Sequence, residues 1–157
     1  MLKPRIIPTL LLRKNRMVKG VNFENYRDTG DPVSASKIYN SQFVDELIFI
    51  DIDATNEKRD PDYDILKEVS KECFMPFTFG GGIKNIQQIN NLLRSGADKV
   101  IINTSATQDK KFIHDAVEIF GSQCIVIAID VKKINNQYSV FTNCGKKMHN
   151  LLLFEYL

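Results

Sequence analysis

The chain has 157 residues, 43% of them apolar and 25% charged, with a formal net charge of +2. That length suits one ordinary domain, and the balance is that of a globular protein, which excludes a disordered or fibrous chain. The near-neutral charge asks for neither nucleic acid nor an acidic membrane, while the slight excess of lysine suits small anionic substrates.

Taken in chain order, five apolar runs recur: "RIIPTLLL" from Arg5, "ELIFIDI" from Glu46, "MPFTFGGG" from Met75, "KVIINTS" from Lys99 and "CIVIAID" from Cys124. Most are nearly continuous, as expected of strands covered on both faces of a parallel sheet. Between them lie helical patterns. "DPVSASKIYNSQF" opens with Asp31 as N-cap and Pro32 at the first helical position, and "DPDYDILKEVSKECF" repeats the signal with Asp60 and Pro61. "NIQQINNLLRSG" sets Ile86, Ile89, Leu92 and Leu93 on one stripe and stops at Gly96, and "DKKFIHDAVEIFG" stops at Gly121. Strand ends about 25 residues apart have the period of βα units, so a parallel α/β sheet is predicted. The basic stretch "KNRMVKG", with Lys14, Arg16 and Lys19, reads as a loop after the first strand. A hairpin insertion at about 131–143 turns near Asn135 and Asn136, and the closing "MHNLLLFEYL" is apolar without a stop signal.

The three cysteines, Cys73, Cys124 and Cys144, have no C-x-x-C spacing, and the two histidines, His114 and His149, are not near them in sequence. Neither a disulfide framework nor a metal site follows, and no cofactor is expected. His114 reads as a surface residue of a helix. The first apolar run is short and broken by Pro8, unlike a signal peptide, and no run approaches the roughly 20 residues of a membrane span. A cytoplasmic protein is the expectation.

In parallel α/β folds ligands gather at the carboxyl ends of the strands. Those positions are Asp51, Gly80 to Gly82, Asn103 with Thr104, and Asp130. "GGGIKN" between strand and helix lets backbone approach an anion, and also reads as a tight turn. "INTSA" adds an amide and two hydroxyls at the next strand end, which together with the glycines favours a phosphate site. Asp51 and Asp130 read either as a separated acid/base pair or as aspartates bonding local backbone.

The blocks "VKGVNFENYRDTGDP", "DELIFIDIDAT", "PFTFGGGI", "GADKVIINTSA", "FGSQCIVIAIDVKK" and "VFTNCGKK" resemble the cyclase subunit of imidazole glycerol phosphate synthase, a (β/α)8 barrel of the histidine pathway. The resemblance implies an ammonia-dependent lyase and cyclase that works with a glutaminase subunit on a phosphorylated small molecule, with neither nucleic acid nor membrane as partner. It implies that Asp130 is one of two catalytic aspartates, and that Gly82, Asn103, Thr104 and Asp51 lie at the substrate and its phosphate. It places Lys19 on a mobile loop over the substrate, Arg5, Glu46 and Lys99 at an ammonia gate, and Asp98 and Gln123 at the glutaminase interface. The family's other catalytic aspartate falls at Leu11. A leucine cannot exchange a proton. With "RIIPTLLL" and "DIDAT", the pattern is more similar to paralogues linked to amidation of bacterial surface sugars; a non-catalytic glutaminase-binding half-barrel is the other alternative. Eight βα units take about 250 residues. The expected fold is therefore a partial (β/α)8 TIM barrel, residues 1–157, with about the first five strands.

Overall fold

The computed structural model describes residues 3–21, 24–143 and 145–153. Cys144 and the last residues of the terminal apolar stretch lie outside them. Five parallel strands form the centre: β1 (Thr9–Arg13), β4 (Leu47–Asp51), β5 (Phe77–Gly80), β6 (Lys99–Ile102) and β7 (Ile125–Ile127), in the order β1-β4-β5-β6-β7. They correspond one to one with the five apolar runs. The parallel α/β expectation is met; the barrel is not closed among the described residues, the seven-stranded sheet running from edge strand β3 (Glu24–Gly30) to edge strand β7.

The other two strands of that sheet correct the sequence reading. The stretch from Lys14 to Lys19 is a hairpin, not a loop: β2 (Arg16–Val21) runs antiparallel to β1, and β3 (Glu24–Gly30) antiparallel to β2. Lys14 and Asn15 both take positive φ, 48° and 59°, as a two-residue hairpin turn of this hand requires. Because the usual Asn-Gly or Asp-Gly signal is absent, the basic composition masked the turn.

The helices follow from caps and stripes. In α1 (Pro32–Ser41) the Asp31 carboxylate accepts from Ser34 N, as the sequence predicts. In α2 (Tyr63–Glu72) the cap is Asp62, not Asp60: its Oδ1 accepts from Asp64 N and Ile65 N. Asp60 instead accepts from Gln88 Nε2 at 2.6 Å, tying the loop before α2 to α3 (Ile86–Arg94). After α3 the chain turns at Gly96, whose φ of +115° favours glycine. Thr104–Gln108 forms the short α4 and Lys110–Phe120 forms α5, capped by Asp109.

Alternation along the strands divides two layers. Leu47, Phe49 and Val100 are fully buried in a cluster with Ile65, Leu66, Val69, Ile89, Leu92, Phe112 and Ala116 from the helices. Each fully buried side chain of the larger kind contributes about 1.5–3 kcal/mol. Ile50 and Ile101, one residue along from Phe49 and Val100, are half-buried and line a cavity on the other side of the sheet. α1 packs on α2, α2 on α3 and α3 on α5, so the helices follow the strand order around the outside.

A second, antiparallel sheet closes the described chain: β8 (Asp130–Ile134), β9 (Gln137–Thr142) and β10 (Lys147–Leu152), in the order β10-β9-β8. Its first turn lies at Asn135 and Asn136, both at positive φ. The hairpin begins at Asp130 itself, so Asp130 pairs with Phe141 instead of ending a longer fifth strand. The apolar closing stretch contributes β10.

Candidate functional site

A cavity of about 350 Å³ opens at the carboxyl ends of the parallel strands. Leu11 of β1, Ile50 and Asp51 of β4, Gly81 and Gly82 after β5, Asn103 and Thr104 after β6, and Asp130 after β7 all line it. Of the residues singled out in the sequence, Asp51, Gly82, Asn103, Thr104 and Asp130 thus come together. Lys19 sits in β2 and is not among the lining residues.

Asp130 is half-buried, and burial raises its carboxyl above the usual aspartate range; a hydrogen bond from the Asn103 side chain pulls the other way and only partly offsets this. Asn103 precedes α4 without capping it by its side chain, which leaves the amide for Asp130. Next to it, Thr104 Oγ1 and Asn143 are within hydrogen-bond reach, at 3.5 Å to Asn143 Oδ1 and 3.4 Å from Asn143 N. The second sheet thereby closes over the β6 end.

Asp51 is differently placed. Its carboxylate is buried and bound to Arg59, with Nη1 to Oδ2 at 2.7 Å and Nη2 to Oδ1 at 2.8 Å, and Oδ1 also accepts from Asp53 N and Ala54 N. The bond to Asp51 raises the Arg59 guanidinium above its ordinary value. Both oxygens of Asp51 are therefore engaged in holding the β4–α2 loop. Of the two readings left open by the sequence, acid/base partner or local backbone binder, this geometry has the features of the second.

The three glycines have a packing reason. A Cβ on Gly81, at φ +112°, would lie 2.2 Å from the Asp51 carbonyl oxygen. Gly82 N donates to Thr55 Oγ1 at 3.3 Å. The tight turn lets the β4–α2 loop lie directly on the end of β5, and the same approach exposes glycine backbone to the cavity.

Ser105, the second hydroxyl of "INTSA", lines the cavity too, and Thr55, Lys84, Gln108 and Asn143 join it without having been singled out. Ser105 Oγ donates to Ile83 O at 2.6 Å, so its role includes fixing the glycine turn. The signals available in sequence were weak: Lys84 follows the last glycine by two residues, and Asn143 lies in the "VFTNCGKK" block.

At the opposite end of the strands, Glu46 is buried and joins two cations: Arg5 Nη1 bonds its Oε1, and Lys99 Nζ lies 2.6 Å from its Oε2. The three charges predicted to act together are one connected cluster. Asp98 accepts from Phe77 N at 2.9 Å at the start of the neighbouring strand, and Gln123 is exposed in the turn Ser122–Cys124 before β7. His114 is exposed on α5, between Asp115 and Glu118, and outside the cavity. Its Nδ1 faces one carboxylate and its Nε2 the other, while Lys111 already pairs with Asp115.

An α/β protein with a mostly parallel sheet, a polar cavity at the strand carboxyl ends and a charged cluster at the amino ends is the class that fold and site define. The histidine biosynthesis protein family model matches residues 5–157, and the chain belongs to that family. Among similar proteins, the imidazole glycerol phosphate synthase subunit HisF of Methanococcus vannielii is 53% identical over 133 residues, 85% of this chain and 49% of that protein. The subunit of the same name from Exiguobacterium sp. is 46% identical over 156 residues, 99% of this chain and 61% of its own length. The Methanococcus maripaludis subunit again gives 53% over 133 residues. The chain spans about half to three-fifths of the length of these relatives.

Proposed function

We propose that this chain is a synthase-type subunit of a glutamine-dependent amidotransferase, taking ammonia at the amino ends of its strands and a phosphorylated small molecule at their carboxyl ends. One observation carries the reading: a single cavity gathers Asp130, Asn103, Thr104 and the Gly81–Gly82 backbone from three successive strand ends. Neutral donors from two of these strand ends suit a phosphate, and a partly desolvated carboxyl from the third suits proton transfer. Asp130 is the acid/base group, with Asn103 shared between it and the phosphate. Lys19, on the β2–β3 hairpin, would close over bound substrate. Arg5, Glu46 and Lys99 form the ammonia gate, with Asp98 and Gln123 at the glutaminase interface. Among the described residues no helix is long and apolar enough to cross a membrane, and a cytoplasmic setting belongs to the same reading.

Within this reading the nearest acceptor is the phosphoribulosyl aminoimidazole carboxamide of the histidine pathway. Leu11 favours a second one. It lines the cavity from the middle of β1, where an acid would complete a pair with Asp130, and it offers only an apolar wall. Amidation of a surface sugar, with one protonatable group, is the alternative acceptor chemistry. Ammonium-driven turnover of the aminoimidazole substrate by the native chain and by Leu11→Asp decides between them. The expected result is native turnover at least about 100-fold below that of the variant. Equal, robust turnover by both removes the case for the sugar branch, no binding of the aminoimidazole substrate by either removes the histidine-pathway acceptor, and binding of neither that substrate nor any sugar phosphate sinks the proposal as a whole.

A further inference from the structure

Exposed apolar side chains concentrate at the amino-terminal face of the parallel strands. Ile6 precedes β1, Phe43 precedes β4 and Phe74 precedes β5, three neighbours in the sheet order, and they are 68%, 91% and 84% exposed. Ile38 and Ile119, also exposed, lie in the final turns of α1 and α5, which end at the same face.

The two phenylalanines are held by one residue. Asn40 O accepts from Phe43 N at 3.2 Å, and Asn40 Oδ1 accepts from Phe74 N at 3.2 Å. Ile6 is fixed in turn, its N bonded to Asp45 Oδ2 at 2.7 Å and its O to Asp45 N at 3.1 Å. The row is therefore pre-organised for contact. Phe43 also sits at φ 54°, a region that a bulky side chain rarely adopts. A strained backbone that presents an uncovered aromatic ring has a cost in the free chain and no folding benefit.

We infer that Phe43 and Phe74 are aromatic anchors that dock into an apolar recess of the glutaminase subunit, with Ile6 extending the contact. The inference rests on the partner reading above and goes beyond its polar interface residues. The occupant follows from position: Arg5 adjoins Ile6, and Glu46 follows Phe43 by three residues, so the row borders the charged cluster through which ammonia would pass. Fully desolvated aromatic anchors are where binding energy concentrates in interfaces. A second copy of this chain, related by a two-fold axis through this face, would bring two clusters together, each holding two cations to one carboxylate, and like charges oppose that.

The test titrates the class I glutaminase subunit from the same organism into the native chain and into Phe43→Gly/Phe74→Ser by calorimetry. Sedimentation of the chain alone and thermal melts accompany it. Glycine relieves the left-handed position, so the melting temperature of Phe43→Gly is expected to hold or rise while affinity for the glutaminase falls at least about 30-fold in the double variant. Tight binding by the native chain and equal binding by the double variant overturns the anchors and leaves the partner reading standing. No binding by the native chain overturns both. Self-association of the native chain that the double variant abolishes assigns the row to a second copy and overturns the inference.

Discussion

At Asp130 burial and a hydrogen bond act in opposite directions, and burial dominates. The folded chain thus holds this proton more firmly than the unfolded chain does. For a carboxyl raised in the folded state, stability falls as pH rises from the unfolded to the folded value, and stays reduced above it. Asp130→Asn is therefore expected to melt higher than the native protein at pH 7, with the difference vanishing near pH 3; thermal melts across that range check the sign. Asp51 shows the reverse economy: its carboxylate stays buried because Arg59 and two backbone N–H groups satisfy it. Arg59→Ala leaves an uncompensated buried charge. Since Arg59 is about a third exposed, the expected loss is about 2–3 kcal/mol in urea unfolding, at or below the lower end of the range for buried pairs. Asp51→Asn added to Arg59→Ala should recover part of it. If Arg59→Ala unfolds like the native chain, the pair has no structural weight.

At the level of elements, the turn after β5 decides how closely the β4–α2 loop can approach the cavity. Gly81→Ala places a methyl group 2.2 Å from the Asp51 carbonyl oxygen and strains a backbone at φ +112°. A loss of about 3 kcal/mol or more is expected by chemical denaturation. Helix and strand positions were largely legible because apolar stripes and capping aspartates are local signals. The cap of α2 falls two residues later than the sequence suggests because Asp60 and Asp62 offer the same chemistry; in the fold Asp62 bonds the first turn while Asp60 is held by Gln88, 28 residues away. The β1–β2 hairpin was missed for another reason. Lys14 and Asn15 adopt positive φ without glycine, and the tertiary pairing with β1 overrides a weak turn preference.

For the whole molecule, cavity and charged cluster lie at opposite ends of the parallel strands, so a ligand in the one and a protein docked at the other would not compete for surface. If the cavity holds a phosphate, a sugar phosphate such as ribulose 5-phosphate stabilises the folded chain by mass action. At 100 times its dissociation constant the gain is about 2.7 kcal/mol, read as a shift of the melting temperature. Thr104→Val removes one hydroxyl donor and should weaken that binding about 10-fold or more; an unchanged shift would exclude Thr104 from the site.

Residue order by itself determined the alternation of strand and helix, the cap at Asp31, and which polar residues fall at strand ends, since each depends on neighbours within a few positions. Only the tertiary structure decided that Asp51 is held by Arg59 while Asp130 stays in the cavity with Asn103. Two aspartates at equivalent strand ends look alike in sequence. They differ in what the fold brings against them, a guanidinium in one case and a neutral amide with an apolar wall in the other.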